Sequence, residues 1–153
     1  MAVDGDGNVY VADSKNNRIQ KLTISTGAWS EWKKSGGGTG SGTGSGLGEF
    51  NQPSDVAVDS GGNVWYVADS KNHRIQKLDV ASGVWSEWKK SGGGSGSDLE
   101  QFNKPRGVAL DSSGNVYVAD AGNHRIQKWT AATELWSQYG YRGSGCRLRL
   151  GRV

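Results

Sequence analysis

Val116-Tyr117-Val118-Ala119-Asp120-Ala121-Gly122-Asn123-His124-Arg125-Ile126-Gln127-Lys128 reads as two short strands folded back across a polar turn. Its flanks carry β-branched and aromatic side chains that suit a pleated, half-buried surface. Its centre carries the small and amide side chains that close turns. The stretch is not unique. Asn8 to Lys21 and Asn63 to Lys77 repeat it, the second with one extra residue. Ala2-Val3-Asp4 upstream recurs as Ala57-Val58-Asp59 and Ala109-Leu110-Asp111, and Trp29, Trp85 and Trp136 follow at matching distances. The steps from Asp4 to Asp59 and from Asp59 to Asp111 are 55 and 52 residues. A regular period of this size marks a repeat array.

Each unit reads as four strands. In the middle copy these are Val56–Val58, then Asn63–Ala68 after the hairpin turn Asp59-Ser60-Gly61-Gly62, then Arg74–Leu78, then Val84–Trp88. In the first copy they fall near 2–4, 8–12, 18–22 and 28–32, and no helix signal interrupts them. The pattern predicts an all-β fold of successive propeller blades. Blades are expected over 1–35, 50–90 and 102–139, separated by Gly/Ser-rich segments 36–49 and 91–101 and followed by a basic tail over 140–153. The Gly/Ser segments read as flexible linkers that add little stability. The extra residue in Val64-Trp65-Tyr66-Val67 would flip the faces of the strand, so a β-bulge is expected at Trp65.

Laid out in this way, the chain resembles the NHL-repeat family. The match rests on residues 116–128 and their copies, and on the lead-ins Phe50-Asn51-Gln52-Pro53 and Phe102-Asn103-Lys104-Pro105. The resemblance implies a β-propeller of NHL-type blades, three in this chain where family members typically have six. It also implies protein-interaction or RNA-binding platforms more often than metal-using lyases. The first unit lacks the Phe-Asn-x-Pro lead-in, and after Tyr139 the expected linker gives way to Gly140–Leu150. Both ends therefore read as cut from, or altered relative to, a longer array.

The charge pattern excludes less than it suggests. The formal net charge is +3, yet Arg142, Arg147, Arg149 and Arg152 belong to the tail, leaving 14 basic residues against 15 acidic ones elsewhere. The single Cys146 rules out an internal disulfide, and no apolar run is long enough to cross a membrane as a helix.

Candidate chemistry dissolves into repeat structure. Asp13, Asp69 and Asp120 each precede an Arg by five residues and read as turn-bridging ion pairs. His73 and His124 align with Asn17 and read as turn residues rather than metal ligands. Asp4-Gly5-Asp6-Gly7-Asn8 resembles the opening of a calcium loop, but its sister turns lack the middle carboxylate, so a hairpin turn is preferred. No nucleophile and base can be assembled, so no catalytic residue, metal or cofactor is assigned. Trp32 and Trp88 are the Trp pair expected to reach solvent.

Strand parity places the turns between strands two and three at the same end as the linkers. That end is expected to be basic and to bind partners through Lys15, Lys33, Lys34, Lys71, Asn72, Lys89, Lys90, Arg106 and Asn123. The leading expectation is a non-enzymatic protein-binding scaffold. RNA or another polyanion on the basic end is the alternative, and a metal-assisted lyase the second. Three blades leave two open flanks, assigned to Val9, Val11, Ile19, Leu22 and Trp29 in the first unit and to Val116, Val118, Ile126, Trp129 and Trp136 in the last. Self-association into a six-bladed ring, or a larger assembly, would cover them. The tail could add a strand or clasp at that junction, or be a disordered artefact of a cut chain.

Overall fold

A computed structural model describes residues 1–33 and 42–140, and the backbone of 149–151. Three antiparallel four-stranded sheets follow one another along the chain. The first holds β1 (Ala2–Val3), β2 (Val9–Asp13), β3 (Arg18–Thr23) and β4 (Ala28–Trp32). The second holds β5 (Pro53–Val58), β6 (Val64–Asp69), β7 (Arg74–Asp79) and β8 (Val84–Trp88). The third holds β9 (Gly107–Leu110), β10 (Val116–Asp120), β11 (Arg125–Thr130) and β12 (Leu135–Gly140). A further strand, β13 (Arg149–Gly151), pairs antiparallel with β12, so part of the tail does extend the third sheet. Cys146 lies outside the described residues.

The turn from the second to the third strand has the same build in every blade. One turn of 3-10 helix, at Ser14–Asn16, Ser70–Asn72 and Ala121–Asn123, ends on a left-handed residue: Asn17 (φ 52°), His73 (φ 54°) and His124 (φ 52°). Asn and His tolerate this backbone better than most side chains do.

Alternation along the strands gives each blade two apolar faces, and the core lies between blades. One cluster joins Tyr10 and Ile19 of blade 1 to Phe50, Val56, Trp65, Val67 and Leu78 of blade 2. The next joins Ala57, Tyr66, Ala68 and Ile75 of blade 2 to Phe102, Val108, Val116, Val118 and Trp136 of blade 3. Trp32 and Trp88 belong to these interfaces rather than to solvent. Trp32 meets Trp65 edge-on with ring centroids 4.2 Å apart, and Trp88 stacks on Tyr66 at 5.5 Å. The exposed Trp is Trp29, at 58%.

The insertion in the middle blade is absorbed without a bulge at Trp65. Register runs unbroken from Val64 opposite Asp79 to Asp69 opposite Arg74. Val64 takes the backbone place of Asn8 and Asn115: its carbonyl accepts the Asp59 N–H, as theirs accept those of Asp4 and Asp111. The extra residue lengthens the turn, where Gly61 and Gly62 adapt at low cost. The one register shift in this sheet lies between Pro53 and Asp55. Gly62 is required there for space as well, since at φ +67° a Cβ would sit 2.6 Å from Asp4 Oδ2 of the neighbouring blade.

Candidate partner-binding surfaces

At the end of each blade where the linkers run, four side chains form a clamp. In blade 2, Arg74 donates Nε to Asp69 at 2.7 Å, Nη1 to Glu87 and to the carbonyl of Ser45, and Nη2 to the carbonyls of Gly46 and Glu49. Gln76 donates to the Glu49 carbonyl and accepts the Gly48 N–H, and Asn72 donates to the Gly44 carbonyl at 2.7 Å. Asp69 accepts the Asn51 N–H. Blade 3 repeats the set. Arg125 reaches Asp120, Gln138 and the carbonyls of Ser97, Asp98 and Gln101; Gln127 holds Gln101 and Glu100; Asn123 holds Gly96.

The last part of each Gly/Ser segment is therefore a docked strap and not a free tether. The gripped residues share a pattern: Gly44-Ser45-x-Leu47-x-x-Phe50-Asn51-x-Pro53 and Gly96-Ser97-x-Leu99-x-x-Phe102-Asn103-x-Pro105. The sequence reading caught only its last four positions. It also took Asn72 and Asn123 for partner-binding groups, whereas their amides are committed to the strap and to Asp69 and Asp120, and Asn123 is buried.

A second contact ties blade to blade. Asn17 Oδ1 accepts the Gln52 N–H at 2.8 Å, and His73 Nδ1 accepts the Lys104 N–H at 3.1 Å. Asn and His alternate at this position because each offers an acceptor to the next blade's lead-in. Burial first, then the Lys104 charge, holds His73 below its ordinary pKa, with Asp120 opposing. Below the ordinary value the unfolded chain takes up a proton that the folded chain resists, so this contact weakens as pH falls. His73→Asn keeps the acceptor, as Asn17 shows, and is expected to flatten the loss of melting temperature between pH 7.5 and 5. An unchanged pH slope would show that His73 does not carry it.

Lys15, Lys71, Lys89, Lys90 and Arg106 are exposed at this end. Lys89 is paired with Glu87 at 2.5 Å and Lys33 with Glu31 at 2.6 Å, so the end is less basic than its lysines suggest. Lys34 lies outside the described residues. Asp4 accepts the N–H groups of Asp6 and Asn8, the Asn8 amide and the Tyr10 hydroxyl, which makes it the organiser of its turn. Among the described residues no group of three or more His, Cys, Asp or Glu is placed to hold a metal ion.

The open flanks differ from expectation in membership. Ile19 packs against blade 2, and Val116, Val118 and Trp136 pack there from the other side. The free face of blade 1 holds Val3, Val9, Val11, Leu22 and Trp29, with Val3 at 56% exposure. That of blade 3 holds Ala109, Tyr117, Ala119, Ile126 and Tyr139, the last two at 41% and 44%.

The NHL repeat model matches residues 1–22, 50–78 and 102–129, more than half of the chain. The chain belongs to the NHL-repeat family. NHL repeat-containing protein 3 of Homo sapiens is 35% identical over 92 residues, which are 58% of this chain and 25% of that protein. Peptidyl-glycine alpha-amidating monooxygenase of Mus musculus is 30% identical over 136 residues, 88% of this chain and 14% of that protein. This NHL chain thus spans a quarter or less of the length of these relatives. Among solved structures, streptogramin B lyase aligns with a TM-score of 0.62 at 20% identity, over 94% of this chain and 40% of that one. A nidogen/laminin complex aligns at 0.55 and 17%, over 99% and 48%. At these identities the likeness is one of propeller fold, a fold that serves many functions.

Proposed function

We propose that the chain is a non-enzymatic binding scaffold, a half propeller that self-associates head to tail. The observation that carries this reading is the pairing of its two open faces. Blade 1 bares the counterparts of the residues that blade 2 packs onto blade 1. Blade 3 bares the counterparts of those that blade 1 packs onto blade 2. Each open face thus matches the other through an interface already built twice within the chain. Two copies joined head to tail use both faces twice and close a ring of six blades.

Sedimentation tests it. A particle of twice 16.3 kDa is expected. Trp29→Asp and Tyr139→Asp should each reduce it to a monomer, and mixing the two variants should restore a single contact. A well-folded lone chain at micromolar concentration would refute the reading.

Exposed Lys15, Lys71, Lys90 and Arg106 support a second reading, retention of RNA or another polyanion at the strap end. Replacing these four by Glu should abolish heparin retention while the fold survives; retention that persists would dismiss this surface. A lyase reading draws less support. His73 is committed to the Lys104 N–H, and His124 stands in the equivalent turn one blade away rather than beside it.

A further inference from the structure

The outer edge strands of the three blades share a sequence and differ in their charges. β4 reads Trp29-Ser30-Glu31-Trp32 and runs into Lys33; β8 reads Trp85-Ser86-Glu87-Trp88 and runs into Lys89. In each, the Glu pairs with the clamp Arg on one side and with that Lys on the other, Arg18–Glu31–Lys33 and Arg74–Glu87–Lys89. Charged side chains on an exposed edge, Lys above all, keep it from pairing with a further strand. β12 reads Trp136-Ser137-Gln138-Tyr139-Gly140, so Gln stands in place of the Glu and Gly in place of the Lys. This uncharged edge is the one that carries a further strand. β13 pairs with it at Trp136 with Gly151, Ser137 with Leu150 and Gln138 with Arg149, whereas β4 and β8 end their sheets. Ser137 is 6% exposed, while its counterparts Ser30 and Ser86 are open to solvent.

We propose that the outer edge of blade 3 is a docking site for an extended segment of another polypeptide that alternates basic and apolar residues, and that β13 is its in-chain competitor. The occupant's chemistry is read from the strand already seated, whose run is Arg147-Leu148-Arg149-Leu150. A strand added to a sheet edge is held by main-chain hydrogen bonds, and its alternate side chains supply the selectivity. The same edge groups serve β13 and a partner strand, so the two exclude each other and the tail sets how readily the edge opens. The proposal rests on the binding-scaffold reading and gives it a partner chemistry. It does not depend on ring closure, which uses the blade faces and not an edge.

The probe is a synthetic peptide covering residues 147–153, added to the full chain and read by amide hydrogen exchange. Arg149→Pro and Leu150→Pro, made together, free the edge: successive strand residues turn their N–H groups to opposite sides, so one of the two prolines removes a bond to β12. In that variant the amides of 136–138 are expected to exchange at least tenfold faster than in the unaltered chain, and saturating peptide should restore their protection. A peptide N-methylated at positions 149–151 should restore none, and the amides of 28–32 and 84–88 should not respond to either. Unchanged exchange at 136–138 in the proline variant, equal rescue by the N-methylated peptide, or equal protection of 84–88 would each overturn the proposal. Should the prolines disturb the blades by circular dichroism, displacement of β13 from the unaltered chain by excess peptide, against the N-methylated control, still decides. Sedimentation of the same samples reads particle mass, so a failure of edge docking and a failure of self-association are distinguishable.

Discussion

Arg74→Gln is expected to destabilise the chain by about 3–5 kcal/mol, the usual result of removing one partner from a buried ion pair. Arg74 and Asp69 are both essentially without solvent contact, and three strap carbonyls also depend on this guanidinium. Losing it strands Asp69 and frees the strap together. The matched change Arg18→Gln touches a partly exposed pair that meets no strap carbonyl among the described residues, and it should cost only about 0–1 kcal/mol. Denaturant unfolding of the two variants reads the difference directly, and equal costs would mean that the clamp does not hold the strap. Burial already holds the Asp69 pKa above its ordinary value, against the bonds from Asn51, Asn72 and Arg74 that lower it. Without Arg74 it rises further. A carboxyl whose folded pKa exceeds its unfolded one favours the fold at low pH and disfavours it as pH climbs through that folded value. The Arg74→Gln deficit should therefore be smaller at pH 4 than at pH 7.

The repeat, the four strands per blade and the all-β class were legible because alternation and turn residues are local signals. Three copies allowed each reading to be checked against two others. The straps were not legible for the opposite reason. Arg74 and Arg125 grip backbone carbonyls, which every residue has, so Gly44–Glu49 and Gly96–Gln101 looked like flexible spacer. The usable signal was Leu47 and Leu99 at the same spacing ahead of Phe50 and Phe102. Strand parity placed the turns and linkers at one end of each blade, but the open flanks were assigned without it. Ile19 and Ile126 lie on the opposite face from the residues grouped with them, and Val116, Val118 and Trp136 lie on the face that meets blade 2. His73 and Asn17 were readable as turn residues, but their acceptors for Lys104 and Gln52 depend on the next blade's position in space.

Trp65→Ala should be the most costly change in the apolar interfaces, at about 3–5 kcal/mol for a large-to-small replacement of a buried aromatic. Trp65 is buried and touches both neighbours of the first interface, with Tyr10 edge-on at 4.9 Å and Trp32 at 4.2 Å. Its indole N–H donates to the Gly62 carbonyl at 2.9 Å, so it also pins the lengthened turn. Blades 1 and 3 carry Val9 and Val116 at the same register position. Trp65→Val is therefore the informative companion, since it installs the side chain that the sister blades use. If the insertion and the Trp act together, Val leaves a cavity beside Trp32 and recovers only part of the loss. Deleting Asn63 in the Trp65→Val background shortens the turn to the length of its sisters and should recover more. In blades 1 and 3 the short turn lets Tyr10 and Tyr117 donate to Asp4 and Asp111, a bond that the middle blade lacks. Thermal unfolding of the three variants checks the order: Trp65→Ala lowest, Trp65→Val above it, and the Val variant with the shortened turn highest. If shortening the turn lowers stability further, the extra residue is held by contacts of its own and the turn is not where it is absorbed.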